Sequence, residues 1–385
     1  MPKFIAFYLP QFYPFPENDE WWGRGFTEWT NVTKARPQFA GHYQPHLPTD
    51  LGFYDLRVRE TRHEQIKMAK SYGIDGFCYH YYWFSGKRLL EVPLEDMLRD
   101  QGSDMPFCLN WANEGWTRRW DGREDDVLIG QKYLPDDDVR LMDDGCRYFA
   151  DSRYITIGGA PLFIVYRPQQ LADCRKSTEL WRRRAAENGF PDLHLCCALT
   201  HGNMHLLAGF DSGVEFPPHN LSGVHQLAHR ANSDFLGHIF EYSDIAASYM
   251  ARDYGDTPVL KTVFPSWDNT ARLGNRSRIV INATPRNYEY WLRQTATKSD
   301  GCLPYVFINA WNEWAEGCHL EPDRHNGCEF LEATKRVSAG TSAADGFEYL
   351  FGTRSWFHRS KIAREANRIV RQVRQFPASF RAREG

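Results

Sequence analysis

Short apolar runs alternate with helix-patterned segments through most of the 385 residues, and this alternation limits the fold more than any other feature. The runs predict eight strands, at Lys3–Leu9, Ile74–Trp83, Pro106–Trp111, Pro161–Tyr166, Leu193–Leu199, Phe210–Phe216, Val259–Phe264 and Tyr305–Ile308. The segments between them predict helices at Arg59–Tyr72, Leu89–Asp100, Asp136–Tyr148, Leu171–Asn188, Tyr242–Tyr254 and Arg286–Thr297. Continuous apolar strands of this kind are typical of parallel sheets covered on both faces.

Polar and aromatic residues follow nearly every predicted strand at its C-terminal end. A (β/α)8 TIM barrel places its site at those ends, whereas a doubly wound sheet concentrates it at a switch point and often carries a glycine-rich loop after the first strand. The sequence has no such loop there. We therefore predict a single-domain α/β fold, a (β/α)8 barrel with long βα loops over residues 1–345. A helical extension over residues 346–385 is predicted to follow it.

The segment Leu303–Asp323 carries the most informative side chains. Its apolar strand leads directly into Asn309, Trp311, Asn312, Glu313, Trp314 and Glu316. If the chain turns helically after Asn312, the Cβ atoms of Glu313 and Glu316 come within ~5–6 Å of each other. Two carboxyls at that spacing among aromatic rings can act as the acid and base that cleave a glycosidic bond. The alternative is a solvated first turn of a helix, where Glu is common, but the flanking tryptophans favour the catalytic interpretation.

Grouping the residues that follow the strands predicts one cup with Glu313 and Glu316 as its catalytic pair. The candidate substrate-binding residues are Tyr8, Trp29, His80, Tyr82, Trp111, Asn113, Glu114, Trp116, Trp267, Asp268, Trp311 and Asn312. Acids can transfer protons, amides and tyrosines can bind hydroxyls, and flat rings can stack on the CH faces of sugars. These are the groups that a glycan site requires.

No metal and no organic cofactor are predicted. His201 and His205 have the i, i+4 spacing of helical zinc ligands, but the glutamate of an H-E-x-x-H motif is missing. His319, Glu321 and Asp323 alternate, and Pro322 favours a buttressing loop over a ligand set. Carboxylate-driven glycoside cleavage supplies its own acid and base.

Composition and charge restrict the partners and the compartment. The net charge of −3 argues against nucleic-acid binding. The N-terminal apolar run is short and interrupted by Pro10, which is typical of a first strand and not of a signal peptide. Nine cysteines without a C-x-x-C motif fit reduced thiols. We therefore expect a cytoplasmic protein whose partner is an oligo- or polysaccharide.

The C-terminal tail, Arg354–Gly385, differs from the rest of the chain because it holds eight arginines and Lys361 against Glu365 and Glu384. Apolar residues recur at helical spacing, at Ile362, Ala366, Ile369, Val373 and Phe376. A basic amphipathic helix of this kind either docks its apolar stripe on the barrel or lies on the anionic face of a membrane. The second alternative would make the protein peripheral to the inner membrane.

Six motifs make the chain resemble the WbsX-like family, over roughly residues 3 to 335. They are YLPQFYPFPENDEWWGRGFTEWTNV, GHYQPHLPTDLGFYDLR, YGIDGFCYHYYWFSGKRLLE, CLNWANEGWTRRWDG, SWDNTAR and NAWNEWAEGCHLEPD. That family is described as glycosyltransferases of polysaccharide clusters and is similar to glycoside hydrolase family 99, the endo-α-mannosidases. The resemblance implies that the E-W-x-E motif of family 99 corresponds to Glu313-Trp314-Ala315-Glu316.

By this resemblance, Glu316 is the general acid/base and Glu313 deprotonates the sugar 2-hydroxyl, which attacks the anomeric carbon. The product of that step is a 1,2-anhydro sugar, and the overall reaction retains configuration. The chain departs from the endo-mannosidases in its long first loop and in its W-A-N-E and W-D-N-T motifs. The sugar is therefore not predicted.

Three functions remain as hypotheses. The first is a retaining glycoside hydrolase with an endo-α-mannosidase-like mechanism, acting on a bacterial surface polysaccharide or a related glycan. The second is a glycosyltransferase of O-antigen or capsular polysaccharide biosynthesis, which the lack of a signal peptide favours and the lack of an evident Rossmann-type nucleotide-sugar site opposes. The third is a catalytically inactive glycan-binding module, in which Glu313 or Glu316 would face away from the cup.

Overall fold

Eight parallel strands close into a barrel, which confirms the predicted fold. A computed structural model describes residues 1–118, 123–134, 136–200, 209–219, 232–299 and 303–348. The strands are β1 (Lys3–Tyr8), β2 (Gly76–Phe84), β3 (Phe107–Trp111), β4 (Ala160–Val165), β5 (His194–Leu199), β6 (Ser212–Glu215), β7 (Val259–Val263) and β8 (Tyr305–Ile308). Each pairs with its sequence neighbours, and β1 closes the ring by pairing with both β2 and β8. All are short and almost wholly buried, as their apolar composition requires.

Helices pack around this ring in the alternating order of a (β/α)8 barrel. The described α-helices are α1 (Pro16–Trp22), α2 (Glu28–Lys34), α3 (Arg59–Ser71), α4 (Val92–Arg99), α5 (Asp137–Phe149), α6 (Cys174–Glu187), α7 (Tyr242–Met250), α8 (Thr270–Leu273), α9 (Pro285–Lys298) and α10 (Glu329–Ser338). The six predicted helices correspond to α3, α4, α5, α6, α7 and α9. Local chemistry explains their ends: the Thr284 hydroxyl accepts from the backbone N–H of Asn287 at the start of α9, and Pro285 occupies its first turn.

Loops at the carboxyl ends of the strands carry further small elements that cover the barrel mouth. Residues 9–58 hold α1 and α2, and backbone hydrogen bonds tie this loop to the loop after β8. Lys87–Leu89 extends β2 as a hairpin, and Trp116–Arg118 pairs with Arg123–Ile129. His238–Glu241 and Arg278–Ile281 form a separate two-stranded parallel sheet beside the barrel. Sequence periodicity does not reveal these pieces because each is too short to show a pattern.

Alternation along the strands sorts side chains between the barrel interior and the helix layer. The Phe7 ring meets the rings of Phe307, from the adjacent strand β8, and of Phe216, which follows β6 across the barrel, so Phe7 fills the interior. Its neighbour Tyr8 points outward, where its hydroxyl donates to Gln65 of α3 at 2.7 Å. Successive strand residues face opposite sides, so this alternation determines which predicted site residues can reach the mouth.

Several predictions lie outside the described residues and stay predictions. One is the prediction that His201 and His205 do not bind zinc. Another is that the basic tail Arg354–Gly385 either docks on the barrel or lies on a membrane. The domain boundary at residue 345 also stays a prediction, because the residues beyond 348 lie outside the described part of the chain. Within the described part of the chain, no helix combines the length and apolar character needed to cross a bilayer.

Candidate active site

Glu313 and Glu316 sit in a tight hairpin at the carboxyl end of β8. Asn312–Glu313 pairs antiparallel with Cys318–His319, and Trp314–Glu316 forms a single 3-10 turn between them. The helical turn predicted after Asn312 is therefore of the tighter 3-10 type. The hairpin closes at Gly317, whose φ is +55° and where a Cβ would lie 2.9 Å from the carbonyl oxygen of Asp268. Only glycine satisfies both conditions without strain.

The guanidinium of Arg272 joins the two acids. Its Nη1 donates to Oε1 of Glu316 at 2.6 Å, and its Nη2 donates to Oε2 of Glu313 at 3.2 Å. The side chains of Glu313, Glu316 and Arg272 are only 10%, 23% and 14% exposed. The predicted acid pair thus converges on one buried cation at the barrel mouth, and neither acid is a solvated helix residue.

Glu28 is a third carboxylate on the same guanidinium. Its Oε2 accepts from Nε and Nη2 of Arg272 at 3.3 and 3.2 Å, and its side chain is fully buried. No described group hydrogen-bonds its other oxygen, Oε1. Neither Glu28 nor Arg272 was among the predicted site residues. Arg272 could have been predicted from charge, because two buried acids require a nearby cation. Arg272 is the last residue of the S-W-D-N-T-A-R motif, which marks it as a candidate.

The environment favours protonation of the acid pair. Burial, followed by the charges of Glu316 and Glu28, raises the pKa of Glu313 to about 8, although Arg272 opposes that rise. Burial also raises the pKa of Glu316, again against the effect of Arg272. Two interacting carboxyls in a dry site lose their protons in separate steps. At neutral pH we therefore expect the pair to retain a proton, with Glu313 as the favoured site.

His80 and Tyr82 come from β2 and lie beside Glu313. The His80 Nε2 lies 3.7 Å from Oε1 of Glu313, and Nδ1 faces the amide nitrogen of Asn110 at 3.2 Å. Because that amide donates to Nδ1, Nε2 is the protonated nitrogen and points toward Glu313. Burial lowers the pKa of His80 to about 4, so it is a neutral donor. The charge of Glu313, after burial, raises the pKa of Tyr82.

Tyr166 and His219 form a further wall of the cup that the sequence analysis did not select. The Tyr166 hydroxyl lies 2.8 Å from Nε2 of His219, and its ring packs on Phe216. The negative charges of Glu114, Glu316 and Glu313 contribute to a raised pKa of Tyr166, after burial, which places it within their field. Tyr166 directly follows β4, and His219 lies four residues after the end of β6. They were not among the predicted site residues because a single polar residue after a strand is common in ordinary loops.

Asn113 and Glu114 organise the exit of β3. The Asn113 amide bonds both the N–H and the C=O of Arg167, at 2.7 and 2.9 Å, and so fixes the exit of β4 beside that of β3. Glu114 forms an ion pair with the Arg167 side chain. Trp116 is half-buried, with edge contacts to Trp21, Tyr82 and Phe84. Glu114 and Trp116 therefore lie at the rim, whereas Asn113 is a buried support.

Asp268 supports the hairpin that carries Glu313 and Glu316, and Trp267 lies beside it. The Asp268 backbone N–H donates to the carbonyl of Glu316 at 2.7 Å. Its carboxylate meets Nε2 of His42 at 2.5 Å and accepts from the side-chain amide of Gln44 at 2.6 Å. Trp267 is half-buried, and its indole N–H has no hydrogen-bond partner among the described groups. A side-chain role of Asp268 in substrate binding is not supported, because its oxygens are already engaged.

Five predicted substrate-binding residues lie outside the cup: Tyr8, Trp29, Trp111, Trp311 and Asn312. Tyr8 and Trp111 point into the helix layer, since Phe7 and Asn110 take the inward positions; the Trp111 indole donates to the carbonyl of Trp83 at 3.2 Å. Trp311 is fully buried with its ring on Phe77.

Trp29 and Asn312 are structural for a different reason, because they join the first loop to the barrel. Trp29 packs against Phe12, Tyr54 and Trp314, and its indole donates to the carbonyl of Tyr54 at 2.9 Å. The Asn312 amide bonds both the N–H and the C=O of Leu9, at 2.8 and 3.0 Å. The sequence could not reveal this placement, because a loop tryptophan or asparagine has the same local sequence signal in a core as in a cup.

One group of described residues has the composition of a metal site: His46, His319 and Asp323, whose ligand atoms lie within 4.8 Å of one another. The His319 Nδ1 faces the carbonyl of Glu321 at 2.8 Å and therefore carries the proton. Its Nε2 can then accept from Nδ1 of His46 at 3.0 Å. Backbone N–H groups of His325 and Asn326 donate to Asp323. Protein hydrogen bonds thus satisfy this group, which ties the first loop to the loop after β8.

We therefore expect metal removal to leave the protein unaffected. Dialysis against EDTA should change neither the catalytic rate nor the melting temperature, because the acid pair and the His46–His319 contact are complete without an ion. Elemental analysis of the protein before and after dialysis provides the control. A loss of activity that a divalent cation restores would contradict this expectation and would identify His46, His319 and Asp323 as ligands to examine.

Comparisons with known proteins agree with the fold and define the family. A protein-family model described as "Glycosyltransferase WbsX" matches residues 4–334. The uncharacterized protein WxcX of Xanthomonas campestris pv. campestris strain B100 is 44% identical over 341 residues, which cover 86% of this chain and 49% of that protein. WxcX of strain ATCC 33913 matches to the same extent. The chain thus spans about half the length of these curated relatives.

Solved structures with the same fold include glycoside hydrolases. The GH99 endo-alpha-mannosidase from Bacteroides thetaiotaomicron aligns with a TM-score of 0.51 at 15% identity, over 88% of this chain and 97% of that one. A structure described as a glycoside hydrolase-like protein aligns with a TM-score of 0.54 at 12% identity, over 87% and 93%. At these identities the likeness concerns the fold alone. The family match covers most of the chain, and the protein belongs to the family described as Glycosyltransferase WbsX.

Proposed function

We propose that this protein is a retaining carbohydrate-active enzyme that cleaves a glycosidic bond, with Glu316 as general acid/base and Glu313 as the second catalytic carboxylate. The observation that carries the proposal is the convergence of both acids on Arg272 at the barrel mouth. The shared guanidinium holds both carboxyls at one place in the mouth, where one can act on the leaving group and the other on the 2-hydroxyl of the same sugar.

The proposed reaction has two steps, by similarity to family 99. In the first, Glu313 takes the proton of the sugar 2-hydroxyl while that oxygen attacks the anomeric carbon, and Glu316 protonates the departing glycosidic oxygen. In the second, Glu316 takes a proton from water, the water oxygen bonds to the anomeric carbon, and the ring of the 1,2-anhydro sugar opens with return of a proton from Glu313. The first step needs the proton of the pair on Glu316, so Glu313, whose pKa burial raises to about 8, has to be ionised when the substrate binds.

His80 and Arg272 assist this chemistry without exchanging protons. The neutral His80 directs its Nε2–H toward Glu313 and can orient the attacking hydroxyl or the carboxylate. Arg272 stabilises the carboxylate that each step leaves ionised. An α-mannoside-like linkage is the proposed substrate, because the resemblance extends to endo-α-mannosidases. The activity and the substrate of the protein are both proposals, because the chain spans about half the length of its curated relatives.

A glycosyltransferase is the second candidate, and the description of the family favours it. The same acid pair would serve if an acceptor hydroxyl replaced water in the second step. The described side chains around Arg272 bear more negative than positive charge, which opposes the binding of a nucleotide diphosphate there. An inactive binding module is disfavoured because neither acid faces away from Arg272.

Activity on defined glycans, measured with and without nucleotide sugars, separates the two candidates. We expect release of a reducing sugar without any nucleotide sugar, and proton NMR of the fresh product should show the anomeric configuration of the substrate. Transfer that requires a nucleotide sugar would support the glycosyltransferase, and an initial product of inverted configuration would contradict the retaining mechanism.

The rim tryptophans should set substrate affinity more than the chemical step. We expect Trp116→Ala and Trp267→Ala to raise KM more than they lower kcat, because stacking on neighbouring sugar units is equal in the ground state and the transition state. Trp29→Ala provides the contrast: it should lower the melting temperature, since its ring is part of the core. A fall in kcat alone at Trp116 or Trp267 would assign that ring to positioning the reacting sugar.

A further inference from the structure

Arg272 stands between three carboxylates that come from three separate parts of the chain. Glu28 begins α2, Glu313 and Glu316 belong to the hairpin after β8, and Arg272 lies in α8. If all three acids were ionised, the single guanidinium would face three negative charges in a buried space. Such an excess is costly in a low dielectric, so at least one proton has to stay in the cluster.

We propose that Glu28 and Arg272 are positioning residues of the active site: Glu28 offsets the charge of Arg272, so that the acid pair keeps the one shared proton that glycoside cleavage needs. Without Glu28, Arg272 would neutralise the pair alone, and both acids would tend to ionise. The site would then hold a base but no acid. This inference rests on the proposed function of Glu313 and Glu316.

The hydrogen bonds of the Arg272 guanidinium are divided between Glu28 and the acid pair, which supports this role of Glu28. Glu28 accepts from Nε and shares Nη2 with Glu313, whereas Nη1 is directed to Glu316. Glu28 therefore occupies one edge of the cation, and the acid pair occupies the other. A cation that is bonded along both edges attracts the pair less than one engaged by the pair alone, because its charge is shared.

The position of Glu28 is fixed by its surroundings. It is the first residue of α2, directly after Thr27, which forms a capping box with Thr30. Trp29, the next residue, packs on Trp314 between the two acids. Glu28 itself is fully buried, and Oε1 has no hydrogen-bond partner among the described residues. The fold buries the Glu28 carboxylate although one of its two oxygens accepts no hydrogen bond from a described residue. Such burial lowers the stability of the fold, and a group kept despite that loss is typical of a functional site.

Other titratable or charged groups act on this cluster, and the test has to account for them. They are His80 and Tyr82 from β2, Glu114 and Arg167 from the exits of β3 and β4, Tyr166 directly after β4, and the Cys318 thiol of the hairpin, whose pKa burial raises. Burial lowers the pKa of His80 to about 4, so it is neutral at neutral pH, and the Arg167 guanidinium is paired with Glu114, so neither His80 nor Arg167 provides a second cation for the acid pair. Arg272 and Glu28 are therefore expected to set the charge balance, with opposite signs.

The test compares the pH dependence of kcat/KM for three proteins: wild type, Glu28→Gln and Arg272→Gln. Removing the negative charge of Glu28 should move both limbs of the bell-shaped profile to lower pH. Removing the positive charge of Arg272 should move both limbs to higher pH. A neighbouring charge shifts such values by about one to three pH units. Arg272→Lys, which keeps the cation, should restore most of the wild-type profile.

A merely structural role cannot produce shifts of opposite sign. Glu215→Gln is the matched control, since Glu215 is a buried carboxylate between β6 and β7 that bonds Tyr254 and Lys261. It should change the melting temperature without moving either limb. Unchanged limbs in both Glu28→Gln and Arg272→Gln, or shifts in the same direction, would overturn the inference.

A second measurement does not depend on activity. Titration of the protein labelled with 13C at the glutamate carboxyls, with Glu313→Gln and Glu316→Gln used for assignment, should show the same opposite shifts in the two variants. If Arg272→Gln does not fold, the expected downward shift in Glu28→Gln still tests the inference. If the proposed function itself were wrong, the result would be different: the Glu316→Gln protein would be active. The inference about Glu28 fails on its own if Glu316→Gln is inactive but the carboxyl titrations do not move.

Discussion

Glu316→Gln and Glu313→Gln are each expected to lower kcat by two or more orders of magnitude while leaving the fold intact, because removal of a positioned proton-transfer group costs about 10²–10⁴ in rate. Glutamine keeps the size and the hydrogen-bonding capacity of the side chain but cannot exchange a proton. Both acids sit at the mouth on Arg272, and neither contributes to the strands of the barrel. Circular dichroism and the melting temperature should therefore remain close to those of the wild type.

The two variants should differ when the leaving group changes. An aryl glycoside with an acidic phenol departs without protonation, so it should restore much of the first step in Glu316→Gln but not in Glu313→Gln. Glu329→Gln, an exposed glutamate of α10, is the control for general effects of charge removal. Near wild-type turnover of either variant on the natural glycan would remove that residue from the mechanism.

Glu321→Ala is expected to have the largest effect on stability. The Glu321 carboxylate is buried and accepts three hydrogen bonds, from the Tyr54 hydroxyl at 2.7 Å, the Trp314 indole at 2.6 Å and the Gln65 amide at 2.6 Å. Alanine leaves all three donors without this acceptor. Each unsatisfied buried donor costs about 1–3 kcal/mol, so we expect a loss of about 3 kcal/mol or more in the free energy of unfolding, measured with urea.

Glu321→Ala should also lower activity, because Trp314 lies between the two proposed catalytic acids in the chain and its indole donates a hydrogen bond to Glu321. Glu332→Ala on α10 is the surface control and should change stability little. A change below about 1 kcal/mol in Glu321→Ala would show that the buried network relaxes or that water replaces the carboxylate.

The same carboxylate makes stability depend on pH. Burial raises the pKa of Glu321 to about 7, above its ordinary value of 4.5. A carboxyl whose folded pKa is raised binds its proton more tightly in the folded state, so its contribution to stability is complete below pH 4.5 and is lost as the pH rises through 7. Glu321→Gln cannot titrate, and its stability relative to the wild type should therefore increase between pH 5 and pH 8.

Strands and helices were predictable because their signals are local. An apolar run such as Val306–Ile308 makes a buried strand in almost any parallel sheet, and Gly189, with a φ of +94°, ends α6 where the sequence indicates. The acid pair was predictable for the same reason, since Glu313 and Glu316 are three residues apart and any turn brings them together. The type of turn was not predictable, because the contact of Gly317 with Asp268 helps to determine it.

The orientation of single side chains was decided only in three dimensions. Tyr8 and Trp111 look like site residues in the sequence, but the phase of alternation depends on how each strand is registered in the closed barrel. One residue of shift moves a side chain from the mouth to the helix layer. Trp29 has the composition of a sugar-stacking residue, and only the folding of the first loop onto the barrel shows that it is core.

The barrel, its order of elements and the two candidate acids follow from the amino-acid pattern, because each of these depends on signals only a few residues long. The tertiary structure alone brought Glu28 to Arg272, across 244 positions, and Arg272 to Glu313 and Glu316, across 41 and 44. Such a charge cluster leaves no local pattern, since its members are held together by the closure of the barrel and by the cost of burying unpaired charge.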